Sequence, residues 1–227
     1  MSLLERRTKA DWQELDNDHY MHPFTDHKDL GEKKSRIIAK AKGVYIYDVD
    51  DNEILDAMSG LWCVNAGYGR SELADAAAEQ LRELPYYNSF FQCANPPSIE
   101  LAQMLKEVTQ PHLNRVFYTG SGSESIDTMI RIVRRYWEVM GEPERKTIIA
   151  RKNAYHGSTL GGASLGGMNA MHQQGGLPIP NVHHINQPDW WAEGGDLSPE
   201  EFGLVRAKEL EDAIIELGEN RVAAFIA

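Results

Sequence analysis

Residues 118–124 read Tyr118-Thr119-Gly120-Ser121-Gly122-Ser123-Glu124, and the architecture follows from them. Residues 116–119 have the look of a short apolar strand. Two glycines then permit a sharp turn, and an amphipathic helix begins at once, with Ile126, Met129, Ile130, Val133, Trp137 and Met140 on one stripe. Ser121 and Glu124 stand at capping-box spacing. A strand that turns so tightly into a helix leaves backbone N–H groups and serine hydroxyls facing open space at the positive end of the helix dipole. Such a place suits a phosphate, and a tight capped turn without a ligand is the plain alternative. No Gly-Lys-Ser/Thr follows, as a nucleoside-triphosphate loop requires. Ser125 replaces the third glycine of the dinucleotide pattern, and the next strand ends in Arg151-Lys152 instead of the acidic ribose partner. A phosphomonoester fits better than either.

The flanking sequence repeats the alternation of strand and helix. Downstream, Gly141 and Pro143 end the helix, and residues 147–150 read as a strand. A Gly-rich stretch over 157–176 and a strand over 181–185 follow. Ser198, Pro199 and Glu201 open a further helix with Val205, Leu210, Ile214 and Leu217 inward, and Gly218 stops it before a buried strand over 221–227. Upstream, Ser71 caps a helix with Leu73, Ala77, Leu81 and Leu84 on one face, ended by Pro85. Ser98 starts another with Leu101, Leu105 and Val108 inward. Residues 44–49 and 54–57 flank a polar turn as a hairpin, preceded by a polar, His-rich arm with a helical start at Ala10 to Leu15. The expected fold class is α/β: a mostly parallel sheet with helices on both faces, plus an N-terminal arm and hairpin of a smaller domain. Residues 1–70 would form the arm and hairpin, and residues 71–227 the larger domain.

Composition narrows the function. The 227 residues carry 23 Lys plus Arg against 34 Asp plus Glu, a formal charge of −11, with 42% apolar residues. That excess of acid argues against nucleic acid or an anionic membrane as partner, and no run approaches the roughly 20 apolar residues of a membrane span. The N-terminus meets Glu5, Arg6 and Arg7 before any apolar core, so no secretory signal is expected. Cys63 and Cys93 are too few and too far apart for a disulfide framework or a thiolate zinc site, which points to a reducing, cytoplasmic setting. The chain stops inside its last strand, so a fragment of a longer protein is expected.

A second motif, Asn153-Ala154-Tyr155-His156-Gly157-Ser158-Thr159, lies beyond the carboxyl end of a strand, on the same edge as the Gly/Ser turn. The Tyr155 ring suits a planar ligand, with His156 beside it; an ordinary surface aromatic is the bland alternative. Leu61-Trp62-Cys63-Val64-Asn65-Ala66-Gly67-Tyr68-Gly69-Arg70 suits an apolar pocket wall, though core packing is the simpler account of Trp62. Tyr86, Tyr87, Phe90 and Phe91 carry the same ambiguity. Asp48-Val49-Asp50-Asp51-Asn52 starts like a calcium loop, but Glu53 and Ser59 occupy the positions of its glycine and final glutamate, so it is a turn. His19, His22 and His27 sit on a solvated arm, and His183 and His184 point to opposite faces of a strand. No metal site is expected, and no Ser-His-Asp or Cys-His arrangement has a supporting context.

Taken together, the hairpin and the segments 60–70, 117–135 and 155–167 resemble the class III aminotransferases that use pyridoxal 5′-phosphate (PLP), in particular the omega-amino acid or amine:pyruvate branch. The resemblance implies the large domain of PLP fold type I. It implies cofactor binding by Ser121, Gly122 and Ser123 at the phosphate, by Tyr155 on the ring, and by His156 nearby. Leu61, Trp62, Phe24 and Phe90 become substrate-pocket walls. The implied partners are a small-molecule amine and a keto acid, pyruvate, and a second copy in a homodimer. Ser125-Ile126 departs from the commoner Ala-Asn of the family. The resemblance also implies that the Schiff-base Lys and the Asp facing the pyridine nitrogen lie beyond Ala227, so that no catalytic residue is in the chain and the isolated chain is inactive. An NADP-dependent reductase using Arg151 and Lys152, and a non-catalytic protein that only associates, are the alternatives.

Overall fold

The computed structural model describes residues 6–227; the N-terminal stretch through Glu5, where no secretory signal is expected, lies outside the described residues. The chain forms two compact units that divide between Glu100 and Leu101.

In the first unit, Thr8 and Asp11 form a reciprocal capping box that starts α1 (Lys9–His19). The Asp26 carboxylate caps α2 (His27–Lys33). An antiparallel meander follows in the order β1 (Ile38–Lys42), β2 (Tyr45–Asp48) and β3 (Glu53–Leu55). The expected hairpin is its β2–β3 half, with Ile46 opposite Ile54. The segment assigned to the arm supplies a third strand, with Ala41 opposite Ile46. Asp48 shapes the turn after β2, where its carboxylate accepts the N–H groups of Asp50 and Asn52, each at 3.0 Å. These bonds hold its carboxyl below the usual carboxylate range, led by the Asn52 side chain. α3 (Ser71–Glu83) begins without a side-chain cap, so Ser71 is its first residue and not its N-cap. α4 (Pro96–Val108), which crosses the division at Glu100 and Leu101, starts two residues before Ser98, with Asn95 accepting the Ser98 N–H at 3.1 Å. The faces expected to be inward on α3 and α4 are open instead: Leu73, Leu81, Leu101 and Val108 are exposed.

The second unit is built on a parallel sheet in the order β5-β4-β6, from β4 (Thr147–Arg151), β5 (Val182–Ile185) and β6 (Val222–Phe225). The alternation along central β4 sorts the core into two layers. Ile148 and Ala150 pack on one face with Ile130 of α5 (Gly122–Val139) and Leu165 of α6 (Leu160–Leu165). Ile149 packs on the other with Ile185 and Ala213. The parallel sheet covered on both faces is therefore present. The Gly-rich stretch contains α6 and α7 (Asn169–His172), and a short α8 (Trp190–Glu193) precedes the next helix. α9 (Pro199–Leu217) carries the expected box, Ser198 accepting from Glu201 N–H and the Glu201 carboxylate from Ser198 N–H. Its inward stripe runs through Phe202, Ala213 and Leu217, and Val205 lies off it and exposed.

One expected strand is missing. Residues 116–119 are extended but form no ladder among the described residues, and Phe117 and Tyr118 are exposed. A strand exists through its partner. Both edges of β4 are taken by β5 and β6, and residues 116–119 pair with neither of the outer edges. Among the described residues no helix is long and apolar enough to cross a membrane.

Candidate functional site

The start of α5 is an open cup. Ser121 is the N-cap, and its hydroxyl accepts the Glu124 N–H at 3.1 Å. Glu124 does not close the reciprocal half of the box; its carboxylate accepts the Gly120 N–H at 2.7 Å. The N–H groups of Gly122 and Ser123 have no acceptor inside the helix, as at any helix start. No heavy atom stands within 4 Å of where a Cβ on Gly122 would lie, so the space above them is free. The Ser123 hydroxyl accepts the Ser158 N–H at 3.0 Å, which leaves its own proton for donation.

That last bond joins the cup to the loop after β4. Gly157 has φ +126°, and a Cβ there would fall 2.9 Å from Ser123 Cα, so only glycine lets the loop lie against the first turn of α5. Asp127, one turn along α5, fastens the other side. Its Oδ1 accepts from the Thr159 hydroxyl at 2.8 Å and the Gly162 N–H at 3.2 Å. The resulting cleft of ≈ 440 Å³ is lined by Gly122, Ser123, Ser125, Ile126, Tyr155, His156 and Gly157. Tyr155 shows 59% of its surface. Burial pushes the His156 imidazole below its ordinary range, and its Nε2 is buried with no hydrogen-bond partner among the described residues. The cleft thus joins an anion cup to an open phenol ring and a neutral imidazole with an unused nitrogen. Among the described residues no lysine or carboxylate lines it, so the lining offers no amine and no strong base.

Ser121, Gly122, Ser123, Tyr155 and His156 are therefore brought together. Phe24, Leu61, Trp62 and Phe90 belong to the first unit, and all four are exposed. Trp62 is not packed into a core of the described residues, 82% of its surface being open. The local cause is a left-handed turn: Ser59, Gly60, Leu61 and Trp62 have φ of 50°, 60°, 61° and 69°. Left-handed backbone costs a side-chain-bearing residue roughly 1–2 kcal/mol, which makes such a run rare. Asp127, Thr159 and the supports of this turn escaped sequence reasoning. Their partners lie many residues away, and only Gly60 and Gly157 gave a local signal.

Residues 29–227 match the family model described as aminotransferase class-III. The chain belongs to the class III aminotransferases. Over 226 residues it is 58% identical to the putrescine--pyruvate aminotransferase of Pseudomonas aeruginosa, covering 100% of this chain and 50% of that one. Among solved structures, an (S)-enantioselective omega-transaminase from Thermomicrobium roseum superposes with TM-score 0.92 at 36% identity, over 97% of this chain and 49% of that one. An omega-transaminase from Pseudomonas jessenii in complex with PMP gives TM-score 0.90 at 34% identity, over 95% and 48%. The chain spans about half the length of these relatives. The fold is that of the PLP fold type I transaminases, and family membership displaces the NADP-dependent reductase. Class III aminotransferases are PLP-dependent. The residues present fit that cofactor: open N–H groups and a free hydroxyl proton for a phosphate, and an exposed ring for the pyridine.

Proposed function

We propose that this class III aminotransferase chain carries the cofactor-holding part of an enzyme that moves an amino group from an amine or omega-amino acid to pyruvate. The observation that supports this best is the meeting of Gly122 and Ser123, at the helix start capped by Ser121, with Tyr155 and His156 in one cleft. The 58% identity to a putrescine--pyruvate aminotransferase favours a small amine donor and pyruvate as acceptor. When bound, PLP supplies the electron sink that lets a proton leave the carbon bearing the amine. The chain's own residues do the rest of the binding. Gly122 and Ser123 N–H groups and the Ser123 hydroxyl hold the phosphate, with Ser121 fixing the helix start behind them. Tyr155 stacks on the ring, and His156, neutral at physiological pH, closes the wall beside it. Phe24, Leu61, Trp62 and Phe90 line the pocket that selects the amine. In the complete enzyme, residues 1–70 belong to the small domain and the active-site loop, residues 71–227 to the large domain, and the active form is a cytoplasmic homodimer. The 227 residues alone turn over no amine, because no lysine lines their cleft.

The test is Ser123→Asp in the whole enzyme. A carboxylate at contact distance from a phosphate dianion repels it. PLP retention, followed by absorbance after gel filtration, should fall by at least about tenfold, equivalent to roughly 1.4 kcal/mol. Retention equal to that of the unaltered enzyme rejects the cup as the phosphate site.

A further inference from the structure

Four successive left-handed residues, three of them bearing side chains, do not persist unless their surroundings fix them. At Ser59–Trp62 the fixing is specific. The Trp62 N–H donates to Met58 O at 2.8 Å, and the Cys63 and Val64 N–H groups both donate to Ser59 O at 2.9 Å. Asp56 Oδ2 accepts two further bonds, from the Gly60 N–H and from the Tyr68 hydroxyl, both at 2.7 Å. Asp56 and Tyr68 are themselves anchored to the meander. Asp56 N–H donates to Val44 O at 2.9 Å, and Tyr68 exchanges backbone bonds with Gly43 at 2.7 and 3.1 Å. A Cβ on Gly60 would come within 2.6 Å of Val64 Cγ2 and 3.0 Å of the Tyr68 hydroxyl, so the knot also depends on glycine. The unit gains no core from this strain, because the side chains it presents, Leu61 and Trp62, point into the open.

We infer that Asp56 is a positioning residue for amine selection, with Gly60 and Tyr68 as its partners: its single carboxylate oxygen clamps the left-handed turn and thereby fixes where Leu61 and Trp62 stand. This rests on the proposal that Leu61 and Trp62 line the amine pocket. Strain is spent where a side chain must be held against its own preference. A shelf of two apolar side chains on a rigid turn discriminates by shape; the same pair on a relaxed turn yields to a bulkier amine.

The experiment uses the PLP-loaded whole enzyme labelled with 5-fluorotryptophan, the Trp62 resonance being identified by its loss in Trp62→Phe. In Asp56→Ala the Trp62 resonance should shift and broaden while PLP retention stays as in the parent. The ratio of kcat/KM between a bulky and a small amine should change by about tenfold, mainly through KM, the size expected of a displaced positioning group. Asp56→Asn, whose amide oxygen still accepts both bonds, should restore resonance and ratio. Tyr68→Phe deletes one donor and keeps the ring; it should move both readouts less far in the same direction, and it carries the test if Asp56→Ala does not fold. A Trp62 resonance that moves while the amine ranking stays overturns the inference alone, as does a resonance that Asp56→Ala leaves in place. An unaltered enzyme that transfers no amine to pyruvate overturns the functional proposal and this inference with it.

Discussion

His184 shows how one side chain in the sheet sets an acid limit. Its Nε2–H donates to Gly166 O at 2.9 Å, and it lies beside His172, ring centroids 5.0 Å apart. Burial leads in pushing its imidazole below 6.5, with lesser contributions of the same sign from the nearby His172 and His183; the bonds to Leu165 and Gly166 oppose it. His156 shifts the same way, also by burial. A base with a lowered folded pKa is native in its neutral form, so the unfolded chain takes up the proton first. The stabilisation is complete above the unfolded value of 6.5 and is lost as pH falls through the lower folded one. Thermal melting should accordingly decline as pH falls below 6.5. His184→Gln, which still donates to the carbonyls, should give a shallower decline than the parent. Identical slopes in parent and variant reject His184 as a contributor.

At the scale of elements, the cleft depends on α5 and the loop after β4 keeping a fixed separation, and Asp127 is the fastener. Asp127→Ala removes the acceptor shared by the Thr159 hydroxyl and the Gly162 N–H, leaving them only longer contacts to Ser123 O and Thr159 Oγ1, a loss of about 1–3 kcal/mol. It should also loosen PLP by letting the Tyr155 loop leave the cup. Urea midpoint and PLP retention should fall together; an unchanged midpoint contradicts the clamp. The elements also divide by how far the sequence could announce them. The Ser198–Glu201 box and the Ser121 cap are complete within four residues, and both were legible. β1 was not, because its Ile-Ala-Lys-Ala-Lys is mostly solvent-facing and becomes a strand only through β2. Residues 116–119 erred the other way: apolar and β-prone, they have no ladder in their unit. The residues that line the cleft were legible from the Gly/Ser turn into a helix and from the Tyr-His loop. Asp127, which holds the loop against the cup, was not, since a carboxylate accepting an N–H from 35 residues away looks like any surface acid.

For the molecule as a whole, the open apolar faces of α3, α4 and the outer side of α5 are a solubility problem, with Leu81, Met104, Val108, Ile132 and Val139 all exposed. Surfaces of this kind associate. The 227 residues expressed alone should bind a hydrophobic dye such as ANS and sediment as concentration-dependent oligomers; a monodisperse, dye-silent monomer contradicts this. The order of strands has a further consequence, for biogenesis. Central β4 is made first, yet Ile148 pairs with Val182 and Thr147 with Val222, 34 and 75 residues further on. At a synthesis rate of about 5–20 residues per second, the second partner emerges roughly 4–15 s after the first-made strand. Until β5 emerges, Ile148 and Ile149, fully buried in the finished sheet, have no edge to join, and until β6 emerges one edge of β4 stays open. The nascent chain therefore crosses a period of high contact order and exposed strand that it leaves only once β6 has cleared the ribosome.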